Sequence, residues 1–103
     1  MTMTGKERAE LRGECNGLKA TVHVGAHGLT DALIGALDDA LRTHELVKVA
    51  MGKPVELPAR EAARQLGVAV NAEVIQVIGK TTTLYRFNPE LKRKEGSLPP
   101  WKD

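Results

Sequence analysis

Hydrophobic and polar positions alternate along Thr21, Val22, His23 and Val24 with a period of two, the pattern of a half-buried strand. A few residues on, the period changes. Leu33, Ile34, Leu37, Ala40 and Leu41 recur at helical spacing, with Asp38, Asp39 and Arg42 on the opposite face. Thr30 is a good N-cap for that helix, Asp31 suits the positive end of its dipole, and Leu29 is placed to staple against Ile34. The apolar run Leu46-Val47-Lys48-Val49-Ala50-Met51 then reads as a second strand. The pattern therefore predicts a strand over 20–24, a helix over 31–44 and a strand over 46–51. Strand, helix and strand within about 30 residues make a right-handed crossover, so the two strands are expected to be parallel.

The flanking segments complete the order. Thr4 with Glu7 three residues later forms a capping box for a first helix over 5–15, whose apolar positions are Ala9, Leu11 and Cys15. Asn16-Gly17 stops it. Pro58 suits the first turn of a third helix with Ala62, Ala63 and Leu66 inward, and Gly67 is expected at its C′ position. Residues 73–78 predict a third strand, Gly79-Lys80-Thr81-Thr82 a turn, and Thr83 to Phe87 a fourth strand antiparallel to the third. Asn88-Pro89 ends it, because proline cannot continue a ladder. The fold class read from this is α/β of the two-layer α+β kind, in the order α-β-α-β-α-β-β around a four-stranded mixed sheet. One domain is expected over residues 4–87, followed by a mobile basic tail over 88–103 that carries Lys92-Arg93-Lys94.

Composition narrows the function. With 103 residues there is room for one modest core. Only Tyr85, Phe87 and Trp101 are aromatic, so the core must be aliphatic and base stacking cannot be the main binding device. The formal charge of +2 does not by itself argue for a nucleic-acid partner; only a clustered distribution could. Cys15 is the single cysteine, which excludes an intrachain disulfide and a thiolate zinc cluster. No apolar run approaches the roughly 18 residues of a membrane span, and the N-terminus lacks the apolar segment of a signal peptide. A cytoplasmic protein that is a monomer, without cofactor, metal or small-molecule substrate, is the expectation. His23, His27 and His44 lack a ligand-like spacing, and no nucleophile–base pair, paired carboxylates or nucleotide fingerprint is present, so an enzyme is not expected.

The candidate chemistry lies between the first strand and the second helix. Gly25, Ala26, His27 and Gly28 bracket a helix entrance, where backbone N–H groups lack intrahelical partners and glycine admits a bulky anion close to the main chain. A phosphate fits that description, as does an ordinary tight turn with no ligand. Lys19, His23, Lys48, Lys80 and Arg86 are basic positions beside the loop in the predicted topology. They read either as the wet face of a sheet or as a positive groove for an RNA backbone.

Leu11-Arg12-Gly13, Leu18-Lys19, Val24 through Thr30, His44 through Val49, Gln76 through Thr81 and Leu84-Tyr85-Arg86 occur in the order and spacing of a known family. The chain resembles the CRM domain, in the stand-alone bacterial form called the YhbY family of ribosome-associated RNA-binding proteins. The resemblance implies a fold like the C-terminal domain of translation initiation factor three with an added first helix. It also implies RNA binding through the G-x-x-G loop, similar in principle to the loop with which KH domains clamp about four nucleotides. For stand-alone members it implies association with precursors of the large ribosomal subunit. Carried over by position, the RNA-binding residues are Gly25, Ala26, His27 and Gly28 of the loop, with Arg12, Lys19, Lys48, Lys80 and Arg86. A protein-interaction module that docks on a ribosomal protein or assembly factor without touching RNA is the alternative reading.

Overall fold

The computed structural model describes residues 4–25, 28–52 and 58–88. Helix α1 spans Gly5–Cys15, strand β1 Ala20–Val24, helix α2 Asp31–His44, strand β2 Leu46–Met51, helix α3 Ala59–Val70, strand β3 Glu73–Ile78 and strand β4 Thr81–Tyr85. The sheet order is β1-β2-β4-β3. β1 runs parallel to β2, and β4 is antiparallel to both β2 and β3. Of the tail expected over 88–103, Asn88 is held by hydrogen bonds to Glu45 and Arg42 and the rest lies outside the described residues, as do Ala26 and His27 of the loop.

The helix starts follow the capping chemistry read from the sequence. The Glu7 N–H donates to Thr4 Oγ1 at 3.1 Å and the Thr4 N–H donates back to Glu7 Oε1 at 3.2 Å, closing the capping box. Thr30 Oγ1 accepts from the Leu33 N–H at 3.1 Å. The end of α2 is less ordinary. Glu45 takes a left-handed φ of 66°, a conformation that disfavours a residue with a Cβ. Its buried side chain repays that strain by fixing the chain beyond β4, with Glu45 Oε2 accepting from the Asn88 N–H at 2.7 Å.

Two expectations are corrected. The third helix runs through Gly67 and ends at Asn71, which has a φ of 55° and serves as the left-handed cap. Gly67 is needed for a different reason: a Cβ there would lie 3.1 Å from the Ala72 carbonyl oxygen and 3.3 Å from Val74 Cγ2. The fourth strand begins at Thr81 rather than Thr83 and ends at Tyr85, because Gly79, at a φ of 56°, lets a two-residue Gly79-Lys80 turn close the hairpin. Arg86 and Phe87 thus follow the strand instead of belonging to it.

Strand alternation divides the core in two. On one face, Val22, Val24, Val47, Val49, Met51 and Leu84 pack against Leu37 and Leu41 of α2 and Ala62, Leu66 and Val70 of α3. Each buried leucine or valine contributes about 1.5–3 kcal/mol. On the other face, Leu46 and Ile75 meet Leu11 and Cys15 of α1, with Leu18 and Tyr85 at the margin. Ala9, the third apolar residue expected on α1, is exposed. Arg8 tethers α1 to β3 by donating to the Val74 carbonyl at 3.1 Å and pairing with Glu73.

The strand ends at the loop side leave little freedom. The Gly52 N–H donates to the Val24 carbonyl at 2.8 Å, and the Met51 N–H donates to the Lys80 carbonyl at 2.7 Å. A Cβ at Gly52 would approach the Val24 carbonyl oxygen to 2.7 Å. Gly52→Ala is therefore expected to lower stability by about 1–3 kcal/mol, because backbone must move to relieve the overlap. Gly35→Ala, in the exposed middle of α2 with open space around it, is expected to raise stability by up to about 1 kcal/mol. Urea unfolding of the two variants checks the opposite signs.

Candidate nucleic-acid interface

β1 delivers the chain to the loop and α2 takes it away. The Gly28 N–H donates to the Gly25 carbonyl at 3.0 Å and the Thr30 N–H to the Gly28 carbonyl at 3.1 Å, so the loop is closed on itself at its base. The Gly28 amide is thus used internally. Among the described residues, the amides of Asp31 and Ala32 in the first turn of α2 have no acceptor, and they point out of the positive end of the helix. The two glycines differ. Gly28 has a φ of 72° and is held to glycine by its backbone, whereas a Cβ on Gly25 would meet nothing within 4 Å.

The face of the sheet that carries α1 is covered only in part. Cross-strand register sets Ala20, Lys48, Thr83 and Gln76 in one row, and His23, Ala50, Thr81 and Ile78 in the next, toward the loop. Among the described residues no helix packs on the second row, where His23 and Ile78 are exposed. Lys48 is therefore mid-sheet on the open side, His23 beside it on β1, and Lys80 at the tip of the β3–β4 turn. The Met51–Lys80 and Gly52–Val24 hydrogen bonds place that turn and the glycine loop at one end of the sheet. Lys19 precedes Ala20, whose register partner is Lys48. Arg12 is exposed on the last turn of α1.

Among the described residues Arg12, Lys19, Lys48 and Lys80 make no ion pair, so their charges are available to an outside anion. Arg86 is different. Its Nη1 donates to Asp38 Oδ1 at 2.7 Å and to the Val70 carbonyl at 2.6 Å, and its Nη2 donates to the Asp38 carbonyl at 3.1 Å. It lies beyond the far end of β4 and ties α2 to the C-terminal end of α3, with its charge met by a carboxylate. Its hydrogen bonds hold the Asp38 carboxyl below the ordinary carboxylate range, against the opposing effect of desolvation and with a further contribution from Arg42. The structure thus brings the base of the loop and Lys80 to one end of the sheet, leaves Lys48 mid-sheet on the open face below them, sets Lys19 one residue beyond the Lys48 row, and places Arg86 apart from the group.

Three residues of this surface escaped the sequence reading. Gln76 and Thr81 share rows with Lys48 and His23, and only the register across β4 shows it. Gly52 supports the loop through a contact between strands, for which a lone glycine after a strand gives no signal. No group of three or more potential metal ligands occurs among the described residues, and no helix there is long and apolar enough to cross a membrane.

A mixed sheet with a glycine-bracketed helix entrance at one end, and unmatched lysines among the described residues on its open face and at its β3–β4 turn, defines a small α/β domain. The chain belongs to the CRS1 / YhbY (CRM) domain family, whose model matches residues 3–86. It is 31% identical over 93 residues to the Probable RNA-binding protein YqeI of Bacillus subtilis, covering 90% of this chain and 97% of that protein. It is 29% identical over 90 residues to the Probable RNA-binding protein PA4753 of Pseudomonas aeruginosa, covering 87% and 86% of the two. The solution structure of the hypothetical protein SAV1595 from Staphylococcus aureus superposes with a TM-score of 0.73 at 30% identity, covering 95% of this chain and 100% of that one.

The contrast between the two kinds of cation is measurable. Arg86→Gln is expected to cost about 2 kcal/mol of folding stability, because charged hydrogen bonds to Asp38 and two carbonyls are lost. Lys48→Gln should change stability by less than about 0.5 kcal/mol. Asp38 titrates lower in the folded protein than in the unfolded chain, so its contribution is present above about pH 4 and is lost as pH falls through the folded value. Acid unfolding monitored by circular dichroism should accordingly show a shallower loss of stability below about pH 4 in Asp38→Asn than in the parent protein.

Proposed function

We propose that this protein binds RNA at the loop end of its sheet, and that it is a binding protein rather than an enzyme. The observation that carries the reading is the split among its cations. Arg8, Arg42, Arg64 and Arg86 are paired with carboxylates, while Lys80 at the loop end and Lys48 on the open face stand unmatched among the described residues. Phosphate oxygens supply the missing negative charge, with the Asp31 and Ala32 amides and the loop main chain near one phosphate and the lysines near its neighbours. Lys19 and Arg12 extend the positive surface. The names of the relatives, which call them RNA-binding proteins, support the same ligand.

The finer assignment is a cytoplasmic monomer that binds precursors of the large ribosomal subunit and assists their assembly. It rests on the motif resemblance set out above. Crosslinking in cells followed by sequencing of the bound RNA should return large-subunit ribosomal RNA and its precursor flanks above other transcripts. Enrichment of unrelated RNA would overturn the ribosomal assignment while leaving RNA binding intact.

RNA binding itself is tested by salt and by one glycine. With about four phosphate contacts, log affinity should fall with log salt at a slope near −3, and Lys48→Gln or Lys80→Gln should each reduce that slope by about 0.7–0.9. Gly25→Val should weaken binding by about tenfold or more with the melting temperature unchanged, since its side chain would project into the space a phosphate needs and not into the fold. A flat salt dependence, or wild-type affinity in Gly25→Val, would count against the mechanism.

A further inference from the structure

Resting on that reading, we infer that the RNA this surface takes is double-stranded, held through phosphates and 2′-hydroxyls in A-form geometry rather than as an unpaired strand. Three observations carry it. The first is rigidity. The end of β1 at Gly25 and the Gly79-Lys80 turn lie at one end of the sheet, joined through β2 by the Gly52–Val24 and Met51–Lys80 hydrogen bonds. Since β2 lies between β1 and β4, the ends of β1 and β4 sit about 10 Å apart, two inter-strand spacings. A frame that presents its contacts at a fixed spacing suits a partner whose phosphates are already fixed. A flexible strand must first be ordered, and the entropy of that ordering opposes binding.

The second observation is what the open face offers. Proteins that hold unpaired strands offset the ordering cost by stacking bases on aromatic side chains, at about 1–3 kcal/mol per base. Among the described residues the aromatics are elsewhere: Tyr85 packs at the margin of the α1 cluster and Phe87 follows β4 at the far end of the sheet. The rows toward the loop carry Lys48 and Gln76, then His23 and Thr81 beside the exposed aliphatic Ile78. Gln76 can both donate to and accept from a 2′-hydroxyl, and Thr81 Oγ1, which donates to the Ile78 carbonyl at 2.8 Å, keeps its acceptor lone pairs. These groups suit the wide, shallow minor groove of an A-form helix, where hydroxyls and phosphates are displayed and sequence is not read.

The third is the sign of charge around the loop. On the α2 side, the Asp31 carboxylate at the helix start is exposed and makes no ion pair among the described residues, so a polyanion turning along that helix meets its own charge. On the sheet side Lys48 and Lys80 attract it. The ligand is thereby directed across the open face, where only its backbone and hydroxyl edge can be touched.

The test compares three labelled ligands of one sequence by fluorescence anisotropy with the full chain: an RNA duplex of about 20 base pairs, its single strand and the matching DNA duplex. The expected result is RNA duplex bound about tenfold or more tightly than either of the others, with little change when the sequence is scrambled. Gln76→Ala should narrow the gap between RNA and DNA duplexes. Single strand bound as tightly as duplex, or DNA as tightly as RNA, overturns the inference. So does binding to a ribosomal precursor transcript without binding to the duplex, which leaves the RNA-binding reading standing. Failure to bind any RNA overturns both.

Discussion

The hydrogen bond from the Gly52 N–H to the Val24 carbonyl is the constraint on which the surface depends. It joins the ends of two parallel strands just where the first enters the loop. Parallel pairing requires a long crossover, and here the crossover is α2, so the place where β1 ends is also the place where α2 begins. Any shift of β2 along β1 would move the loop relative to the mouth of the helix. The absence of a side chain at Gly52 lets the two backbones come within hydrogen-bonding range. The Met51–Lys80 bond carries the same registry one strand further, so the end of β1 and the hairpin turn are fixed to the same strand.

Among the described residues most arginines serve the fold, Arg12 and Arg60 being the exceptions without an ion pair. Four arginines satisfy carboxylates on or between elements, and Arg8 and Arg86 each reach main-chain carbonyls as well. The planar fork of the guanidinium suits such multiple, directional contacts. The lysines of the open face and the hairpin turn are strongly hydrated point charges on flexible stems, which can follow a phosphate without being held by the protein. A net charge of only +2 says little about the open face, because charge is distributed unevenly and the lysines there make no ion pair among the described residues.

How much of this was legible in the sequence depended on the range of the contact. The capping box of α1, the Thr30 N-cap, the amphipathic stripe of α2 and the alternation of β1 and β2 are local, and α1, β1, α2, β2 and β3 match the predicted bounds. Gly67 drew attention correctly but as a cap, since the close approach of Ala72 and Val74 depends on how the chain folds back after the helix. The start of β4 was misplaced because two threonines after a glycine fit a long turn as well as a short one. Arg86 was grouped with the interface because its partner, Asp38, is 48 residues away in sequence and reads locally as the wet side of α2. The family motif located the loop, but the row of Lys48, Thr83 and Gln76 required the sheet order, which places β4 between β2 and β3.

That insertion has a consequence for how the chain is made. β2 leaves the ribosome paired on one side to β1, and its other edge stays bare until β4 has been synthesised and turned back on β3. During that interval an apolar strand with unsatisfied main-chain groups is open to pairing with another nascent copy. The two-residue Gly79-Lys80 connection shortens the exposure, since a hairpin closes in microseconds once its second arm is free. The turn that carries Lys80 thus also limits the time in which the growing polypeptide can aggregate.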